Sequence, residues 1–194
     1  MMTIGTLSLC ALTAAFTGPA VPSFTGVVWN ADPSQSNVTL SVSQFLVAKI
    51  HGTIPIASAT IVTTDGAVIP LSVGAMLDAA RLDTHDRARD ADLRSDRFFD
   101  VQRFRTITFA SDTITATGRD TFAIDGELSM RGVTRSLRLD GTFAGAHVDA
   151  LGRRHARYEA TGRFRRSDYG MASMRGIVGN DVTLDITIDA VDRD

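Results

Sequence analysis

Apolar and polar residues alternate along most of the chain, which is the pattern of strands that bury one face. The clearest case is 182–188, where aliphatic residues alternate with threonine and aspartate. Similar alternation over 38–42 and 158–164 predicts further strands. Asp65-Gly66 is a strong hairpin signal, and Ser111-Asp112 is expected to turn the chain between two shorter strands. The pattern as a whole predicts an all-β protein, an antiparallel β-barrel of about eight strands.

The stretch 83–111 departs from this alternation and predicts one short helix. Thr84 or Asp86 can cap its start by accepting hydrogen bonds from the first free N–H groups. Asp90 and Arg94 are expected to pair on its exposed side. The face expected to be buried recurs at helical spacing and comprises Ala88, Ala91, Ser95 and Phe98. With Phe98-Phe99 at its end, this segment is predicted to be a lid over one end of the barrel.

Composition gives no indication of a nucleic-acid partner. The 194 residues are 44% hydrophobic and 22% charged, with a net charge of −2. This balance is typical of a globular domain and does not favour nucleic acid as a partner.

The first residues form a separate segment. Residues 4–16 are apolar and uncharged, too few to span a bilayer, and small residues follow at Gly18-Pro19-Ala20. We therefore expect residues 1–24 to be a signal peptide, residues 25–194 to be the barrel domain, and the protein to be periplasmic or secreted. Cys10, the only cysteine, lies in this leader, so no disulfide is expected in the mature chain.

Motifs for catalysis and metal binding are absent from the sequence. There is no Gly-x-Ser-x-Gly elbow and no phosphate-binding loop. The four histidines (His51, His85, His147 and His155) are too far apart in sequence to form a metal-binding motif. A metal site would therefore need ligands brought together from separate loops. The sequence therefore predicts no catalytic residues, no metal site and no cofactor.

Several short blocks stand in the order and spacing of a known family. They are Asp32-Pro33-Ser34-Gln35-Ser36, Arg89-Asp90, Phe98-Phe99-Asp100, residues 126–135 and residues 166–171. Over about 29–190 the chain resembles the YceI-like family, lipocalin-like barrels that bind polyisoprenoids and related amphiphiles. Gln35 and Gln44 stand where that family usually has histidine. An amide cannot become cationic, so Gln44 favours a neutral lipid head group over a pyrophosphate.

The resemblance implies a binding protein that carries or sequesters a long-chain amphiphilic lipid (a polyisoprenoid, isoprenoid quinone or fatty-acid derivative) in the barrel lumen. The expected ligand contacts are Val38, Leu40, Val42, Gln44, Phe98, Phe99, Phe109, Leu128, Leu137, Phe164 and Met171. Transient membrane contact and a homodimer are left open.

Two alternatives remain open at the level of sequence. One is a lipid-modifying enzyme that uses Asp168, His85 or Glu127 as acid or base at the barrel mouth. It requires one of these side chains to face the lumen. The other is a stress-related structural module whose barrel is filled by side chains and has no ligand. A measurement of the cavity separates this module from a carrier.

Overall fold

The structure is a computed structural model that describes residues 26–45 and 48–192, so the predicted leader, residues 1–24, lies outside the described residues. The described chain is mostly strand, with one α-helix, α1 (Arg87–Arg94), and short 3₁₀ turns at Ala79–Arg81 and Arg166–Tyr169. The strands are β1 Gly26–Ala31, β2 Asn37–Gln44, β3 Ala48–Thr53, β4 Ile56–Thr64, β5 Ser72–Asp78, β6 Thr106–Ala116, β7 Thr121–Met130, β8 Val133–Val148, β9 Arg154–Arg165 and β10 Val178–Asp192. None of the helices in this part of the chain has the length and apolar character needed to cross a bilayer.

The ten strands close into an antiparallel barrel with eight strand positions. The long strand β10 pairs with β9 along one edge. Along its other edge it pairs first with β2 (Val182 opposite Val42) and then with β1 (Ala190 opposite Ala31). β1 and β2 therefore share one position, and β3 and β4, which pair with β2 and β1, share the next. The predicted fold, a lipocalin-like barrel with one short helix, is confirmed.

Connections at the two ends of the barrel differ in size. The end that we call the helix end carries the long segment 79–105 with α1, and also the 166–177 loop. The opposite end, the far end, carries the shorter loops 65–71, 117–120 and 149–153. The helix end is therefore the more heavily covered of the two.

The predicted turn at Ser111-Asp112 is wrong, because β6 runs unbroken through these residues. The register with β7 shifts there by one residue, from Ser111 opposite Gly126 to Thr113 opposite Asp125, so Asp112 forms a bulge. The strands approach closely at this point: a Cβ on Gly126 would lie 2.3 Å from the Ala110 carbonyl oxygen. The same types of polar residue occur at bulges and at turns, so the sequence periodicity alone does not distinguish the two.

The helix forms as predicted but turns a different face inward. Asp86 caps α1 by accepting hydrogen bonds from the Ala88 and Arg89 N–H groups. Ala88 and Ala91, expected to be buried, are exposed, whereas Asp90 is only 6% exposed.

Asp90 does not pair with Arg94. Its Oδ1 instead accepts hydrogen bonds from the backbone N–H and the hydroxyl of buried Thr84, at 2.9 and 2.7 Å. Arg94 donates to the Leu82 carbonyl oxygen. A buried carboxylate is tolerated when such bonds replace its hydration, and here they fix the loop before α1.

Candidate functional site

The interior of the barrel contains an apolar cavity of about 100 Å³, which we call the lumen cavity. Its lining comes from every strand except β1 and β3, with Phe99 reaching in from the segment after α1. Only two lining residues have polar side-chain atoms, Tyr158 and Glu159. Burial raises the pKa of Tyr158 to about 12, so its phenol stays neutral. The Glu159 carboxylate is exposed beside Arg157, and the lumen cavity itself therefore carries no charge.

A second apolar cavity, the helix-end chamber, lies between the lumen cavity and α1 and has a volume of about 80 Å³. It is lined by Leu40, Val42, Ile50, Gly52, Leu82, Thr84, Leu93, Phe98, Phe99, Phe164, Arg166, Met171, Val178 and Val182. Leu40, Phe99 and Phe164 line both cavities. These three side chains are therefore the partition between the lumen cavity and the chamber.

The chamber adjoins an open surface groove of about 370 Å³, the mouth groove, formed mainly by the 166–180 stretch. Arg166, Met171 and Val178 line both spaces. Lumen cavity, chamber and mouth groove thus follow one another from the middle of the barrel to its surface. The mouth groove is lined by two arginines, Arg166 and Arg175, and by no acidic residue.

Arg166 holds the mouth groove in shape. It is 5% exposed, and its Nε donates to the Gly179 carbonyl at 2.8 Å. Its Nη1 donates to the carbonyls of Met171 and Ser173 at 2.7 Å, and its Nη2 to that of Val178 at 3.0 Å. These bonds use four of the five guanidinium N–H groups. Burial, with the nearby charge of Arg175, lowers the pKa of Arg166, and no carboxylate pairs with it among the described residues.

Ten of the eleven residues predicted to contact the ligand border these spaces. Val38, Phe109, Leu128 and Leu137 line the lumen cavity; Leu40, Phe99 and Phe164 form the partition; Val42 and Phe98 line the chamber; and Met171 lines the chamber and the mouth groove. Gln44 lines none of the three spaces. It is half-buried at the end of β2, opposite Val178 and Ala48.

The side chains named for an enzyme all lie away from the lumen. Glu127 is exposed, and its buried neighbours Gly126 and Leu128 are among the residues of β7 that turn inward. Asp168 is exposed in the 3₁₀ turn after β9. His85 is exposed too, with its Nδ1 3.5 Å from Asp83 Oδ2. None of the three lines the lumen cavity or the chamber.

Sequence reasoning missed the role of Arg166. It follows Arg163 and Arg165, which are exposed on the outer face of β9, and the pattern of charge does not separate it from them. Its direction is set by the turn that ends β9. The only signal in the sequence was its place in the block 166–171, which matches the family.

Comparison with known proteins agrees with this architecture. The sequence model of the YceI-like domain matches residues 29–190. A UPF0312 protein of Enterobacter sp. (strain 638) is 32% identical over 121 residues, which are 62% of each chain. Protein YceI of Salmonella arizonae is 30% identical over 121 residues, covering 62% of this chain and 63% of that one. The matched residues therefore cover less than two thirds of the length of each of these relatives.

Solved structures share the fold at low identity. BcnA of Burkholderia cenocepacia superposes with a TM-score of 0.73 at 16% identity, over 82% of this chain and 98% of that one. A polyisoprenoid binding domain from Saccharophagus degradans gives a TM-score of 0.63 at 14% identity, over 86% and 99% of the two chains. The family model covers nearly all of the described barrel. The chain belongs to the YceI-like family.

Proposed function

We propose that this protein binds a long-chain amphiphilic lipid, with the hydrocarbon tail in the lumen cavity and the helix-end chamber, and carries or sequesters it without modifying it. The observation that carries the proposal is the mainly apolar lining of two successive cavities, in which the one cationic side chain, Arg166, lies where the chamber meets the mouth groove. Each buried CH₂ contributes ~0.8 kcal/mol, so a tail of about twenty carbons gains on the order of 15 kcal/mol before its ordering is counted. The Saccharophagus degradans domain is described as polyisoprenoid binding, which supports the same class of ligand.

The cavities also bear on the structural-module alternative. A volume of about 100 Å³ is several times the roughly 10–15 Å³ of cavity space that one water molecule needs. The side chains of the barrel thus leave a continuous apolar space in its middle. This space favours a binding protein over a barrel that is filled by its own side chains.

A long tail needs more room than the cavities offer. Volumes of about 100 and 80 Å³ fall below the roughly 300–1,000 Å³ of typical ligand pockets. Entry of a long lipid tail must therefore displace some of the side chains that line the two cavities. Leu40, Phe99 and Phe164 are the ones whose movement joins the two cavities, and Phe99 lies on an irregular segment rather than on a strand.

The head group belongs, in this proposal, in the mouth groove and not beside Gln44. The groove offers Arg166 and Arg175 without an acidic neighbour in its lining. A carboxylate or phosphate is therefore favoured over a neutral head group, because arginine binds both through charge-assisted hydrogen bonds. This replaces the neutral preference that Gln44 suggested.

Exposed apolar side chains beside the mouth groove support transient membrane contact as part of the proposal. Phe45 is 61% exposed, and its N–H donates to the Ile177 carbonyl at 2.9 Å. Met174 and Ile177 are 37% and 38% exposed on the same loop that forms the groove. A lipid tail leaving a bilayer at this end would meet apolar side chains before entering the chamber.

A cavity-filling substitution tests the site of binding. Ala160 lines the lumen cavity, whereas the next residue of β9, Thr161, is exposed on the outer face. Ala160→Ile should weaken binding of a long-chain fatty acid to the delipidated protein by about tenfold or more, since roughly two buried CH₂ groups of the ligand lose their place. Thr161→Ile is the matched control and should bind like the wild type. Equal affinity in all three proteins would place the tail elsewhere.

We further propose that the protein is exported with removal of residues 1–24, on the basis of the uncharged apolar run in that segment. N-terminal sequencing of the protein from its own cells should find a chain that begins between residues 21 and 27. Protein that retains Met1 in the cytoplasm would refute export.

A further inference from the structure

A cluster of two histidines and an aspartate lies on the outer face of the far end, away from the lipid path. β8 and β9 set His147 directly opposite His155. β10 brings Asp189 diagonally beside His155, since Asp189 pairs with Arg157 and His155 with Val191. One nitrogen or oxygen atom from each of the three residues lies within 4.8 Å of the others. We propose that His147, His155 and Asp189 bind a divalent transition-metal ion such as Zn²⁺.

The residue types favour transition metals over magnesium and calcium. Two imidazoles and one carboxylate suit Zn²⁺, Ni²⁺ or Cu²⁺, whereas Mg²⁺ and Ca²⁺ prefer sites made of oxygen ligands. Three protein ligands leave coordination positions for water, as in open zinc sites. An open groove of about 330 Å³ is lined by both histidines and gives an ion and its waters access to them.

Both nitrogens of His155 already face carboxylates. Nδ1 lies 2.6 Å from Asp189 Oδ1, and Nε2 lies 3.3 Å from Asp149 Oδ2. His155 and Asp189 are 6% and 7% exposed, so their positions are set by packing. The Asp189 backbone is held as well, because its N–H donates to the Ser36 hydroxyl.

Metal binding replaces one proton in this arrangement. The ion takes the place of the proton shared between His155 Nδ1 and the Asp189 carboxylate, and that proton leaves to solvent. The Nε2–H group keeps its bond to Asp149, which fixes the ring and its tautomer in the way that outer carboxylates hold metal-binding histidines. Asp149 is therefore a positioning residue, itself held by the side chain of Arg153 at 2.7 Å.

His147 completes the site from the exposed side. Its ring stacks on that of His155 with the centroids 4.6 Å apart and the planes 20° apart. Because His147 is exposed, its side chain can turn a nitrogen toward the ion without disturbing the core. This exposure also makes His147 the residue to change in a test, since its loss should leave the fold intact.

Calorimetric titration of the tag-free, chelator-treated protein with Zn²⁺ tests the proposal. The wild type should bind one Zn²⁺ per chain, and His147→Ala should bind it about tenfold or more weakly. His85→Asn is the matched control, because it removes an exposed histidine outside the cluster at a φ of 62° that asparagine also adopts. It should bind like the wild type, and Mg²⁺ should not bind at the same concentrations. Equal Zn²⁺ affinity in wild type and His147→Ala, or no uptake by the wild type, would overturn the proposal.

A second variant tests the role of Asp149 without removing a ligand. Asp149→Asn should lower Zn²⁺ affinity about tenfold, the usual effect of losing an outer carboxylate. The visible spectrum of the Co²⁺-substituted Asp149→Asn protein should nevertheless match that of the wild type, whereas that of His147→Ala should change because one imidazole ligand is gone. Unchanged affinity in Asp149→Asn together with an unchanged Co²⁺ spectrum in His147→Ala would place the ion elsewhere.

Discussion

Phe99 is one of the three side chains that line both apolar cavities and so lie between them. Phe98 lines only the chamber and packs in the core at 5% exposed. Neighbouring aromatic residues thus have different surroundings. The sequence showed an aromatic pair but not which member borders the lumen.

Alanine substitutions should distinguish these two residues. Phe98→Ala should lower the free energy of unfolding by ~3–5 kcal/mol, the usual cost of truncating a core phenylalanine. Phe99→Ala should lower the free energy of unfolding by less, because a side chain that borders two cavities has fewer packing partners. Bound lipid should also be released faster from this variant. Denaturant unfolding and the release rate of a fluorescent fatty acid measure the two effects. The same release rate in wild type and Phe99→Ala would show that Phe99 is not a barrier.

Head-group recognition also belongs to single residues. Arg175→Gln should weaken binding of a long-chain fatty acid about tenfold, since a charge-assisted hydrogen bond contributes ~1.5–3 kcal/mol. The affinity for the matching fatty alcohol should stay unchanged. Gln44→Leu is the control and should affect neither ligand. Competition binding with the acid and the alcohol checks both variants. A loss of alcohol binding confined to Gln44→Leu would return the head group to Gln44.

At the scale of elements, α1 depends on a polar contact that periodicity does not reveal. A helix with exposed Ala88 and Ala91 and buried Asp90 reverses the face expected from apolar spacing. The reason is local, because buried Thr84 needs partners for its N–H and hydroxyl groups and Asp90 supplies both. Helix α1 is thus attached to the loop that precedes it.

Removing the contact between Asp90 and Thr84 should destabilise α1 and the loop before it. Asp90→Ala leaves the N–H and hydroxyl donors of Thr84 unpaired in a buried site. This should lower the free energy of unfolding by roughly 1–3 kcal/mol for each donor that finds no water. Asp96→Ala is the matched control two residues beyond α1, where the side chain is exposed, and should stay within about 0.5 kcal/mol of the wild type. Thermal unfolding of the three proteins gives the comparison. Equal effects in both variants would show that Asp90 has no special role.

Much of the barrel was predictable, because alternation with a period of two determines which side chains share a face. Val38, Leu128 and Leu137, which were expected to contact the ligand, line the lumen cavity. Contacts between strands that are distant in sequence were not predictable, and these include the approach of Asp189 to His155. The direction of Arg166 was also hidden, because it depends on how the turn after β9 closes.

At the scale of the whole molecule, both tyrosines report on the closed barrel. The chain has two, Tyr158 and Tyr169, which are 5% and 1% exposed. Burial raises the pKa of each to about 12, against ~10 in an unfolded chain. The folded state therefore holds these protons more tightly, and the stability they contribute is present below about pH 10 and lost as pH rises toward 12.

Ultraviolet titration in alkali checks this expectation. The native protein should form almost no tyrosinate at pH 10, whereas the urea-unfolded protein should be about half ionised there. The free energy of unfolding should fall between about pH 10 and 12. A native tyrosine that ionises near pH 10 would mean that the barrel is open to water at Tyr158 or Tyr169.

Native mass spectrometry of the protein from its own cells shows whether the lumen holds a lipid. We expect an intact mass that exceeds that of the polypeptide by one lipid, and we expect that lipid to be released when the protein is unfolded in organic solvent. The released molecule should have a long hydrocarbon tail and a carboxylate or phosphate head. If the mass is that of the polypeptide alone, both as isolated and after incubation with long-chain fatty acids and polyisoprenyl phosphates, the barrel does not bind such a lipid.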